Sequence, residues 1–122
     1  LLKNNIIPVC CSVSHDGNGQ LLNTNADTIA SDIASALSEN FEVNLTYCFE
    51  KKGVLENIGD LNSVIPIINT EKYKELKNKG LIQAGMLPKL HNCYQALLKG
   101  VKEIRIGSFN ILSDNKHTKI VL

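Results

Sequence analysis

An α/β fold, a three-layer αβα sandwich around a mainly parallel sheet, is what this sequence predicts. Three observations carry it. Short apolar, β-branched runs recur along the chain, stretches with apolar residues at helical spacing alternate with them, and turn-forming residues stand at the junctions. Strands that alternate with helices imply βαβ units, because parallel neighbours need a crossover connection.

Ile6-Ile7-Pro8-Val9-Cys10-Cys11-Ser12-Val13 reads as a buried strand, being short, apolar and rich in β-branched residues. Asp16-Gly17-Asn18-Gly19 supplies turn chemistry after it. Ala26, Ile29, Ala30, Ile33, Ala34 and Leu37 recur at helical spacing, which predicts a helix over roughly 25–39 capped by Asn25. Glu42 to Phe49 alternates through Val43, Leu45 and Tyr47 as a second strand, and Lys51-Lys52-Gly53 breaks it. Val54-Leu55 resumes an apolar patch, and Val64 to Ile68 is strand-like despite Pro66.

Thr70 is expected to cap a helix that runs through Lys79 and closes at Gly80. The next helix starts near Pro88, a residue tolerated in a first turn, with Leu87, Leu90, Tyr94, Leu97 and Leu98 as its apolar face and Gly100 as its stop. Val101 to Ile106 alternates as a strand, and Lys119 to Leu122 is the last one. Neither a repeat nor a low-complexity linker divides the 122 residues, so they read as one domain, 1–122.

Hydrophobic content of 43% and charged content of 20% describe an ordinary globular protein. A net charge of +1 argues against a nucleic-acid partner, which needs a concentrated basic surface. No apolar run approaches the ~20 residues of a membrane span, and no signal peptide is visible. Cys10, Cys11, Cys48 and Cys93 form no CxxC pair, and His15, His91 and His117 are scattered, so no metal site is expected. Reduced thiols and a cytoplasmic location are the expectation. The chain opens on Leu1 and enters an apolar run almost at once, as a piece of a longer polypeptide would; a complete protein freed from a tag is the alternative.

Two helix starts carry the functional information. A helix N-terminus acts as roughly half a positive charge and attracts anions. Asp27 and Asn25 both have sufficient structural reasons to stand in such a place, as first-turn acid and cap. Lys89 does not: it is a cation where stability would choose an acid, and it makes sense if an anion such as phosphate joins it. Gly85 and Met86 just before it permit a close backbone approach, although the spacing is not that of a Walker P-loop.

Asn23-x-Asn25-Ala26-Asp27 opening an alanine-rich helix, followed by Gly85-Met86-x-x-Lys89, resembles the amino acid kinase family, and within it the acetylglutamate kinases. The resemblance runs from about Pro8 to His117-Thr118-Lys119-Ile120 and implies the C-terminal, nucleotide-binding half of such an enzyme. The implied reaction is phosphoryl transfer from ATP, with Mg²⁺ on its phosphates, to the side-chain carboxylate of N-acetyl-L-glutamate in arginine biosynthesis. By the same match Asn23 and Asn25 hold the amino-acid substrate, Asp27 orients the catalytic lysines, and Lys89 neutralises charge on the transferred phosphoryl group. Tyr47, Gly53, Val54, Leu55, Gln83 and Gly85 fall at nucleotide-binding positions.

Two departures from the family pattern stand out. Its other catalytic lysine and its glycine-rich phosphate loop belong to an N-terminal half with no counterpart here, so the chain alone is expected to be inactive. Its Thr-Asp-Val-x-Gly-Val-Leu stretch reads Thr46-Tyr47-Cys48-Phe49-Glu50-Lys51-Lys52-Gly53-Val54-Leu55, with tyrosine for aspartate and a longer loop. Another N-acyl glutamate or small carboxylate as acceptor, or a non-catalytic nucleotide-binding regulatory module, are the alternatives. Joint retention of Asn23, Asp27 and Lys89 argues against the module. Homo-oligomerisation of the full-length enzyme stays open.

Overall fold

Asn25 starts the first long helix for a local reason. Its side-chain oxygen accepts from the backbone N–H groups of Asp27, at 2.9 Å, and Thr28, at 3.2 Å, which would otherwise be unpaired. In the computed structural model, which describes residues 1–82, 85–113 and 116–122, that helix is α1 (Ala26–Ser38). Before it, β1 (Val13–His15) and β2 (Leu21–Asn23) form an antiparallel hairpin. The hairpin turn is set by Asp16, whose Oδ1 accepts from Asn18 N and Gln20 N, and by Gly17 and Gly19 at φ 85° and 97°.

After α1 come β3 (Asn44–Cys48), β4 (Ile67–Ile68), α2 (Thr70–Asn78), α3 (Met86–Leu98), β5 (Glu103–Gly107) and β6 (Thr118–Ile120). The four later strands make one sheet in the order β3-β5-β6-β4. β3 pairs with β5 and β4 with β6 in parallel, while β5 and β6 are antiparallel, so the sheet is mixed and mainly parallel. The α/β class is as the alternating pattern predicts.

Ile104, Ile106 and Ile120 are fully buried on one face of this sheet and meet Leu90, Cys93 and Leu97 of α3 in the core. A Leu or Ile buried to this degree contributes roughly 1.5–3 kcal/mol. The alternate residues of β5 and β6 are polar: Glu103 pairs with Arg105 and with Lys119, and Arg105 lies opposite Lys119 in the register. That face therefore satisfies its charges internally, as half-buried alternation allows.

Three local expectations change. Residues 6–12 are not a buried strand: Ile7 is 86% exposed and Val9 95%, and only Val13 enters a ladder. None of β3 to β6 pairs with this run, and a strand without neighbours has nothing to bury against. α2 is capped by Asn69, whose Oδ1 accepts from Lys72 N at 2.8 Å, and Thr70 is its first helical residue. Leu98, assigned to the apolar face of α3, is 68% exposed, while Cys93 and Ala96 are fully buried there.

Candidate active site

The two helix starts singled out by sequence lie side by side. α1 and α3 pack along their lengths through ties that run in the same direction on both. Asn92 Nδ2 donates to Thr28 Oγ1 at 3.2 Å, Ser31 Oγ donates to the Asn92 carbonyl at 3.2 Å, and Ser38 Oγ donates to the Lys99 carbonyl at 2.9 Å. The helices are thus parallel, and their positive ends converge. Two aligned helix N-termini concentrate positive potential at one spot.

Asp27 and Lys89 occupy that spot. Asp27 Oδ1 lies 2.6 Å from Lys89 Nζ, and the pair is partly buried, with the lysine side chain 14% exposed. The anion that a first-turn lysine requires is therefore supplied, within this chain, by the carboxylate of the neighbouring helix. Lys89 Nζ also stands 4.6 Å above the centre of the Tyr47 ring. Tyr47, buried on β3, donates its hydroxyl to the Asp27 carbonyl at 3.1 Å. Burial, foremost, and the nearby Cys93 and Asp27 push the tyrosine hydroxyl far up, so it stays a donor. Cys93 is fully buried in α3, and its thiol is pushed up to about 12 by burial, against the opposing pull of Lys89. It is a packing residue at neutral pH.

One turn before Lys89 on α3, Met86 lines a shallow cleft with Phe49, Lys51, Gly53, Val54, Leu55 and Leu81. Gly53, Val54 and Leu55 thus share one wall. Glycine fits closely at 53: a Cβ there would fall 2.6 Å from Val64 Cγ1 and 2.7 Å from Thr118 Oγ1, so a larger residue would force a shift. Thr118 Oγ1 is already committed, accepting from Val54 N at 2.8 Å and donating to the Ile65 carbonyl at 2.7 Å.

Gly85 immediately precedes α3 as an N-cap without a side-chain hydrogen bond, and no acid stands in the first turn. Apart from its own chain neighbours, no atom of the described residues lies within 4 Å of where a Cβ on Gly85 would be. Asn23 ends β2, exposed, two residues before the cap. Gln83 lies outside the described residues. Tyr47 is set apart from the cleft wall, beneath Lys89 rather than beside Gly53. Thr28, Ser31 and Asn92, which clamp the two helices together, went unread in the sequence; small polar residues at helical spacing on α1 were the available signal.

The site is thus built from converging helix starts, a lysine–aspartate pair and an adjoining apolar cleft on a mainly parallel α/β frame. The chain belongs to the amino acid kinase family, whose model matches residues 1–108. Curated relatives narrow the class. The chain is 47% identical over 120 residues to the acetylglutamate kinase of Phocaeicola vulgatus, covering 98% of this chain and 47% of that protein. It is 48% identical over 127 residues to the acetylglutamate kinase of Cytophaga hutchinsonii, covering 99% and 48%. The chain spans about half the length of the curated relatives it matches. Among solved structures, smu.665 from Streptococcus mutans UA159 superposes with a TM-score of 0.80 at 31% identity, over 98% of this chain and 44% of that one.

Proposed function

We propose that this chain is the nucleotide-side portion of an enzyme that phosphorylates the side-chain carboxylate of N-acetyl-L-glutamate with ATP, a step of arginine biosynthesis. The observation that carries the reading is the 2.6 Å Asp27–Lys89 pair at the meeting of two helix N-termini, one turn from the cleft lined by Gly53, Val54 and Leu55. The relatives named acetylglutamate kinase supply the acceptor.

In this reading the base enters the apolar cleft and the phosphates extend toward the start of α3, whose free N–H groups and dipole favour them. A carboxylate oxygen of the acceptor attacks the γ-phosphorus in line, and the bond to the β–γ bridging oxygen breaks, leaving ADP and an acyl phosphate. Lys89 neutralises charge that grows on the phosphoryl oxygens, and Asp27 keeps the ammonium in place. Asn23 and Asn25 contact the amino acid in this arrangement. Among the described residues no three His, Cys, Asp or Glu side chains cluster to hold a metal. Mg²⁺ brought in with the nucleotide would offset negative charge on its phosphates. No described helix is long and apolar enough to cross a membrane.

Steady-state kinetics of the full-length enzyme test the reading. Lys89→Ala is expected to lower kcat by about 10²-fold or more, since it removes a group stabilising developing charge. A near-normal rate would overturn it. N-acylated glutamates of differing acyl length, assayed in parallel, identify the acceptor.

A further inference from the structure

We propose that Tyr47 is a positioning residue for Lys89: its ring is the seat on which the ammonium rests, and its hydroxyl locks that seat to the start of α1. The inference rests on the reading of Lys89 as the lysine that meets the transferred phosphoryl group.

A lysine ammonium rides on a flexible four-carbon stem, so its usefulness depends on what restrains it. At the first turn of α3 the helix itself repels the charge. Asp27 holds it from one side at 2.6 Å. A single carboxylate, however, leaves the stem free to pivot about that contact. The Tyr47 ring closes the second direction, with Nζ 4.6 Å from its centre, within the range where a cation is attracted to a ring face. The ring is not free to swing away. Tyr47 is 5% exposed, stands opposite Ile106 in the β3–β5 register, and is tethered by the 3.1 Å hydrogen bond to the Asp27 carbonyl. The same residue, Asp27, is thus bound twice: its carboxylate to Lys89, its carbonyl to Tyr47. Strand β3, helix α1 and helix α3 are joined at one triangle, and the cation sits at its corner.

This geometry predicts an effect on the chemical step. A group that only aims a transition-state contact changes kcat and leaves substrate binding alone, whereas a nucleotide contact would change KM. In the full-length enzyme, Tyr47→Leu is expected to lower kcat about tenfold with KM for MgATP within about twofold. Tyr47→Phe keeps the ring and is expected to stay within about threefold of wild type. A spectroscopic readout separates aiming from folding. In ¹³C-lysine-labelled enzyme the Lys89 ε-methylene protons, assigned by their loss in Lys89→Ala, should be shifted upfield by the ring in wild type and Tyr47→Phe. They should return to ordinary values in Tyr47→Leu.

Absence of that shift in wild type overturns the proposal, and this comparison needs no destabilised variant. A raised KM with unchanged kcat in Tyr47→Leu overturns it too, and makes Tyr47 a nucleotide contact. Equal losses in Tyr47→Phe and Tyr47→Leu overturn the ring's role. If Lys89→Ala is slow while Tyr47→Leu turns over normally, only this inference falls; if Lys89→Ala is itself near normal, the reading beneath it falls as well.

Discussion

Asp27 and Lys89, 62 positions apart in sequence, meet at 2.6 Å where the first turns of α1 and α3 come together. Asp27 offsets what Lys89 would otherwise cost the start of α3. The carboxylate is favourable at its own helix start and compensates the lysine, which is unfavourable at the other. Asp27→Asn keeps the shape but leaves Lys89 without its anion at two converging positive ends. We expect kcat of the full-length enzyme to fall about tenfold or more, because the ammonium loses its fixed position. Steady-state rates at saturating MgATP check this, and an unchanged kcat would remove Asp27 from the proposed machinery.

Gly53 couples the cleft to the core. A methyl group at this position meets Val64 and Thr118 at 2.6–2.7 Å, and the backbone nitrogen of Thr118 at 3.1 Å. Gly53→Ala therefore strains a packed interior, at a cost of about 1–3 kcal/mol. Because Thr118 Oγ1 also binds Val54 N, the displacement should propagate into the cleft wall. A lowered denaturant midpoint together with a raised KM for MgATP is the expected pair of results. Wild-type stability would show that the loop yields freely.

Glu103 gives the sheet a pH dependence of known sign. Its carboxyl is held below the usual range by the Lys119 ammonium first, against some desolvation, and by Arg105. A carboxyl with a depressed folded value contributes stability that is present above its unfolded value, near 4.5, and is lost as pH falls below that. Glu103→Gln should therefore reduce stability at pH 7, and the gap between variant and wild type should narrow progressively as pH falls from neutrality to below 4.5. Urea midpoints for both proteins across that range provide the check. A gap that stays constant on acidification would assign the effect to packing rather than charge.

Elements governed by near neighbours were legible in the residues. Asn25 caps α1 through hydrogen bonds to residues two and three positions on, and Asp16, Gly17 and Gly19 shape a five-residue turn. The cap of α2 was placed one residue late, because Asn69 and Thr70 are both competent caps and only the backbone conformation chooses between them. Residues 6–12 read as a buried strand because apolar, β-branched composition is all that a strand shows locally; whether a partner strand exists is not a local property.

Sequence by itself determined the α/β class, the two helix starts and the oddness of Lys89, since periodicity, capping and dipole chemistry act within a turn or two of chain. It also marked Gly53, Val54 and Leu55 as a unit, because three consecutive residues cannot be far apart. Tertiary structure alone decided which anion faces Lys89 and where Tyr47 packs. Sequence had Tyr47 among the nucleotide-binding positions; packing buries it beneath the lysine, with its hydroxyl on Asp27. The reason is distance along the chain. The Tyr47–Asp27 contact spans 20 residues and the Lys89–Asp27 contact 62, and both arise only when α1 and α3 settle in parallel on β3 and β5.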